Sequence, residues 1–433
     1  MEQPRRSAIL IVPFALLLVC RLGIFGAQVN ESAGDDGVLK MTIEAIAYVI
    51  AGIIVLVRFD QVRPLLWRLT PFFLYALYAS LTSVWSSYPA SSLLRVGHML
   101  GLSVVAICAA IWAQRKRSSW FSFNMGFMLL VLILSLLCVR FFPARGVVNY
   151  EAVIESGGGT RWLGITGHPN ILGAVGMVGI WVALYGLFIE PSRWSRFFSV
   201  LTIVLSLVAF YGSDSRSSMG SAVFLVSIFY LVAGAQPVGL QSFLKRLIVV
   251  TALVGVGLSI VYLLSPDAMY AYLLPSSRVG GGDALSSRPL IWAYGLEALV
   301  ERPTGWSYDL LQTYNEAHGG AALIAHFHNG YLDVAVKGGY IAEALLLVIL
   351  ARMAWAIGRL RKIDYAMFSL YVPFFIANLI YNVVEAGFDR ESLTWPMMII
   401  VWASAEAALI QHDRSGITTP RKVRPSMRGE VHG

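Results

Sequence analysis

Charge is what this chain has least of. Of its 433 residues only 13% are Asp, Glu, Lys or Arg, while 57% are hydrophobic; an ordinary soluble domain carries about 25% charged residues. A soluble surface for a chain of this size cannot be made from so little charge. Cysteine is scarce too. Cys20, Cys108 and Cys138 all stand in apolar stretches, odd in number and badly placed for pairing, so they read as small core hydrophobes and a disulfide scaffold is excluded. No Cys/His spacing of the zinc type occurs, so no metal site and no cofactor is expected. A fixed-period internal repeat is also missing, and the apolar surplus rules out a disordered chain or a coiled coil.

What is there is one apolar run after another. Twelve hydrophobic stretches fall near 7–26, 41–57, 70–86, 96–113, 120–138, 170–189, 197–211, 218–234, 247–264, 338–357, 365–384 and 393–410. Runs of about 17–25 residues cross a hydrocarbon core of about 30 Å. The expected fold is an all-α integral membrane protein of about twelve transmembrane helices, a single polytopic domain over 1–410 followed by a basic cytoplasmic tail, 411–433. The first stretch follows Arg5-Arg6 but offers only a poor cleavage site at Gly26-Ala27, so it is expected to remain as a helix.

The net charge of +8 would suit nucleic acid, but its distribution does not. Alternate connecting segments hold 20 of the 33 Lys and Arg residues, including Arg58, Arg63 and Arg68, then Arg115, Lys116 and Arg117, then Arg359, Arg361 and Lys362. Short loops rich in Lys and Arg stay in the cytoplasm. Both termini are therefore expected on the cytoplasmic side, and nucleic acid is not expected as a partner.

Chemistry is expected from the opposite loops. The longest, 265–337, is too long to be a plain connection and too rich in aromatic and aliphatic residues to be disordered. Within it Ser286-Ser287-Arg288-Pro289 reads as a helix start: a serine for the N-cap, proline in the first turn, then Leu290, Ile291, Tyr294, Ala298 and Leu299 at helical spacing. A helix start is a ready anion site, and Arg288 stands at it. Arg216, in the tight polar link Ser213-Asp214-Ser215-Arg216-Ser217-Ser218, and Arg161, before the sixth stretch, add cations where positive charge is otherwise sparse. Guanidinium grips phosphate bidentately and cannot lose its proton, so diphosphate is the expected anion. His328, in His328-Asn329-Gly330-Tyr331, is the expected base, since imidazole accepts a proton near neutral pH. Of the neighbours His326 and His328, only one is expected to reach the reaction centre. His168, in Gly167-His168-Pro169-Asn170, is a weaker candidate with a cap or turn role equally open.

The segments VWSSYPASSLLR (84–95), GTRWLGITGHPNILG (159–173), GSDSRSSMGS (212–221), SSRPLIW (286–292), RPTGW (302–306) and HNGYLDVAVKGGYIAEALL (328–346) together resemble the O-antigen ligase and Wzy-type polymerase superfamily, in the flavour of its exopolysaccharide polymerase branch. The likeness covers about 84–350. It implies a GT-C-like, metal-independent glycosyltransferase at the outer, periplasmic face of a bacterial inner membrane. The donor it implies is an oligosaccharide linked to undecaprenyl diphosphate and the acceptor a growing polysaccharide. Membrane lipid, chain-length regulators and export proteins are the further partners implied. On this likeness Arg216 and Arg288 fall where the diphosphate is held and His328 where the base lies. Arg161, His168, His326, Asn329, Tyr331 and Trp292 become candidate substrate-binding residues, and Trp162, Trp292, Trp306, Tyr308 and Tyr331 candidates for stacking on sugars, an interfacial aromatic belt being equally open for each. The segment 307–327 matches nothing in the family pattern. Two other readings stay open: a ligase or oligosaccharyltransferase acting on lipid A-core or protein, and a non-enzymatic transporter of lipid-linked oligosaccharide. The transporter reading sits poorly with spans that carry so little charge.

Overall fold

The computed structural model describes residues 9–21, 35–148, 160–233, 239–264, 288–309, 311–318, 326–388, 393–414 and 416. Among them every regular element is helical, apart from one antiparallel bridge between Val147 and Trp162. In chain order the helices are α1 Ile11–Arg21, α2 Asp35–Val57, α3 Phe59–Arg68, α4 Thr70–Leu81, α5 Pro89–Arg115, α6 Arg117–Phe141 and α7 Pro169–Leu184. They continue with α8 Arg193–Ser213, α9 Arg216–Val232, α10 Leu240–Leu264, α11 Arg288–Glu301, α12 Gln312–Ala317, α13 Gly330–Ile363, α14 Tyr365–Val384 and α15 Thr394–Arg414.

A helix lies in each of the twelve hydrophobic stretches. Among the described residues, seven segments are long and apolar enough to cross a membrane: Leu39–Val57, Pro89–Arg115, Arg117–Phe141, Pro169–Ile189, Arg193–Ser213, Gly330–Ile363 and Tyr365–Val384. The chain is thus a multi-pass membrane protein. Three of the other stretches carry shorter helices. With 12 residues, α4 is only about 18 Å long, and Ile11–Cys20 and Arg216–Val232 are likewise short apolar helices. Buried at the centre is α7, small and apolar all round; Trp181 packs on Phe374 of α14, ring centroids 4.2 Å apart.

The two ends of the bundle differ. At one end the basic loops meet: Arg115 bonds Gln61 at 2.8 Å, Arg117 pairs with Asp364, and Arg68 pairs with Asp413 at 3.3 Å. The other end carries the polar motifs, and α13 is broken there. Gly339 has φ 68° and ψ −169°, a conformation open mainly to glycine. The break leaves carbonyls of Val336 and Lys337 without helical donors, and the RPTGW segment fills the gap. Trp306 N donates to Val336 O (2.9 Å), Ser307 N to Lys337 O (2.8 Å), and Tyr340 N to Pro303 O (3.1 Å). The chains approach so closely that a Cβ on Gly305 would lie 2.4 Å from Gly339 N. A lipid-facing break would be costly; here the RPTGW segment supplies partners to Val336 O, Lys337 O and Tyr340 N. The same layer ties back to the 84–95 motif, with Trp85 Nε1 donating to Gly305 O (3.0 Å) and Ser86 Oγ to the buried Asp309 (2.6 Å).

Candidate active site

Four of the helices that begin at the polar end, α7, α9, α11 and α13, carry a polar group near their starts toward one place. The cap of α7 is His168, whose Nδ1 accepts from Asn170 N (3.1 Å). Asp214, in left-handed conformation (φ 46°), ends α8 so abruptly that Arg216 opens α9 two residues later. The helix expected after Ser286-Ser287 is α11, opening at Arg288; the two serines lie outside the described residues. Asn329 caps α13, its Oδ1 accepting from Tyr331 N (3.0 Å) and Leu332 N (3.1 Å). Each start presents free N–H groups and partial positive charge.

These starts meet at Glu385, the first residue beyond α14 and only 8% exposed. A carboxylate at a helix C-terminus faces the wrong end of the dipole, so it needs compensation, and it has it. Its Oε1 accepts from Asn170 Nδ2 (2.9 Å), Arg288 (3.1 Å) and Ser217 Oγ (3.4 Å). Its Oε2 faces His328 Nδ1 at 3.7 Å. Burial alone would raise the Glu385 carboxyl, but His328, Arg288 and His168 together hold it below its ordinary value.

The flanking motifs fix this geometry. Trp162 lies flat on Gly212, where any Cβ would sit 1.9 Å from the indole, and its N–H donates to Gly212 O (2.8 Å). Arg161 then bonds Ser213 O (3.1 Å) and Asn170 Oδ1 (3.2 Å). That contact turns the Asn170 amide so that its NH₂ points to Glu385. Arg216 is 19% exposed beside Asp214, Nε to Oδ1 3.5 Å, and adjoins Ser217, which touches Glu385.

His328 itself has φ 50°, uncommon for any residue but glycine. Its neighbours impose the turn. Trp292 Nε1 donates to Phe327 O (2.9 Å), Phe327 N to the buried Asp333 (3.3 Å), and Asp333 pairs with Lys337 one turn on. The expectation that only one histidine reaches the site needs correction: the His326 and His328 rings lie 3.9 Å apart, centroid to centroid. Phe327 between them is fully buried.

His326, His328 and Glu385 offer three ligand atoms within 4.8 Å of one another, a group that the search for Cys/His spacing could not find. Composition alone would suit a divalent cation. The local field does not, because Arg288 already holds the carboxylate and the helix starts add partial positive charge. That field suits an anion.

Several expected aromatic contacts are already spent. Trp306 and Tyr308 are buried, bonded to Ala298 O (2.8 Å) and Tyr75 Oη (2.9 Å), which removes them as sugar platforms. Tyr331 bonds Leu379 O (3.2 Å), and Trp292 steadies the turn at His328. Of the segment 307–327, residues 307–309 and 311–318 pack against the 84–95 motif and α11, with His318 3.1 Å from Glu301. Sequence reading missed Glu385 and Asn170 as site residues. The signal for Glu385 was an acidic residue at the end of a long apolar helix.

Residues 201–347 match the family model described as O-antigen ligase. No curated protein matches the chain. The matched stretch contains Arg216, Arg288 and His328; the 84–95 and 159–173 motifs fall outside it.

Proposed function

We propose that this chain, which belongs through residues 201–347 to the O-antigen ligase and Wzy superfamily of membrane enzymes, is a polysaccharide polymerase of the exopolysaccharide branch. It joins oligosaccharide units carried on undecaprenyl diphosphate, at the periplasmic face of the inner membrane, with both termini in the cytoplasm. The observation that carries the reading is that a guanidinium and an imidazole from distant stretches, Arg288 and His328, reach the two oxygens of one buried carboxylate.

In the reaction the acceptor hydroxyl gives its proton to His328 and its oxygen bonds to the anomeric carbon. The bond from that carbon to the lipid diphosphate breaks with inversion, and the electron pair leaves with the diphosphate. Arg288, Arg216 and the N–H groups of α9 and α11 balance the charge that develops there, commonly the largest catalytic contribution. General-base help adds typically about 10²–10⁴-fold. No step needs a metal or a nucleotide sugar.

The family description itself favours a second reading, ligation of a finished glycan to lipid A-core or protein. Purified protein incubated with one lipid-linked repeat unit separates the two. A ladder of lengthened products is expected for a polymerase. Product only after a second acceptor is added means a ligase, and no glycosidic product in either case overturns the enzymatic reading.

A further inference from the structure

Resting on the base role of His328, we infer that Glu385 is the positioning residue that fixes the tautomer of the His328 imidazole and steadies the charge it acquires. The carboxylate has two faces with opposite demands. At Oε1 it receives three donors, from Asn170, Arg288 and Ser217. Among the described contacts its Oε2 faces His328 Nδ1, at 3.7 Å.

With Asn170, Arg288 and Ser217 donating to Oε1, Oε2 is turned toward the ring. It holds the proton on Nδ1 and leaves the Nε2 lone pair for the acceptor hydroxyl. When that hydroxyl transfers its proton to Nε2 and its oxygen bonds to the anomeric carbon, the imidazolium has a fixed counter-charge at Oε2. The carboxylate stays ionised throughout, and the imidazolium returns its proton to water once the diphosphate has left.

An amide cannot replace this group. Gln has one acceptor oxygen and one donor NH₂. With the NH₂ toward Arg288, donor meets donor. With the NH₂ toward His328, the imidazole must turn its lone pair to Nδ1 and lose its base at Nε2. The charged or titratable groups around the pair are Arg288, Arg216 with its partner Asp214, His168, His326, and Asp333 behind the turn. Of these only Glu385 brings a negative charge to His328 Nδ1 among the described contacts.

The test is the pH dependence of turnover by purified full-length protein on a lipid-diphosphate-linked oligosaccharide, for wild type, Glu385→Gln, Glu385→Asp, His328→Ala and the Glu385→Gln/His328→Ala double variant. Each is first matched for abundance in the membrane. Glu385→Gln should lower kcat about 10²-fold, within the range of general-base effects, and move the acid limb of the profile to lower pH, because the imidazolium loses its counter-charge. Glu385→Asp should restore part of the rate and return the limb toward wild type. The double variant should be no slower than His328→Ala alone. A Glu385→Gln enzyme that is slower with an unmoved acid limb, or one at wild-type rate, overturns the inference while leaving the base reading intact. A His328→Ala enzyme at wild-type rate overturns the base reading itself.

Discussion

Each end of the bundle buries one glutamate among arginines, and the two clusters are built differently. At the basic end Glu406, fully buried in α15, lies between Arg352 (3.2 Å) and Arg68 (3.5 Å), with Asp413 also on Arg68. All of these side chains come from within helices. They join α3, α13 and α15 near the membrane surface, and no histidine and no helix start takes part among the described contacts. At the polar end Glu385 stands just past a helix, and its partners come from the starts of α7, α9 and α11 and the approach to α13. The first cluster is a closed clamp. The second concentrates positive potential beside an imidazole whose backbone is held in an uncommon conformation. Buried ion pairs are weak stabilisers, so one set around helix starts and a histidine points to chemistry, while one within helix bodies points to assembly.

Three changes break or sharpen that contrast. The largest effect is expected from Arg288→Ala, which should reduce glycan transfer by about 10²–10³-fold or more with normal protein level in the membrane; polymer of unchanged length and amount in cells would refute its role. An intermediate effect of the opposite kind is expected from Glu406→Gln. It should lower stability by about 1–3 kcal/mol, below the range for fully buried pairs because both arginines are partly exposed. Its turnover per folded molecule should be unchanged, as read by thermal melting and activity on the same preparation. The smallest concerns pH. Because the Glu385 carboxyl is held below its ordinary value of 4.5, its contribution to stability is fully present above that pH and is lost as pH falls through the lowered value. The melting difference between wild type and Glu385→Gln should therefore shrink as pH falls below about 4.5.

The membrane class and the helix positions were legible because burial in lipid demands long apolar runs, and those survive any detail of packing. That Arg216, Arg288 and His328 stand near helix starts was legible for a similar reason, since each follows a polar stretch where an apolar helix begins. Glu385 was not. In sequence it precedes Asp389 and Glu391 and looks like one more solvated acidic loop; only the convergence of α7, α9, α11 and α13 shows that it is buried. The dipole of α14 offered a hint, because a carboxylate at a helix C-terminus calls for a cation from elsewhere. The break in α13 was hidden in Gly338-Gly339, which reads as a tolerated pair inside an apolar run until the RPTGW segment is seen filling the gap. Among the described residues, seven segments meet the length and apolarity needed to span, and the short helices α1, α4 and α9 show that hydrophobic content alone does not tell a crossing helix from a shorter one.

The left-handed turn at His328 has a consequence for failed copies of the protein. Asparagine adopts that conformation at least as readily as histidine, so His328→Asn removes the imidazole without disturbing the scaffold that shapes the turn. On the proposed function, such a chain keeps Arg288 and Arg216 and would capture lipid diphosphate without turning it over. Inactivation at this position would then yield a decoy that competes with working copies for donor, rather than a misfolded chain cleared by proteolysis.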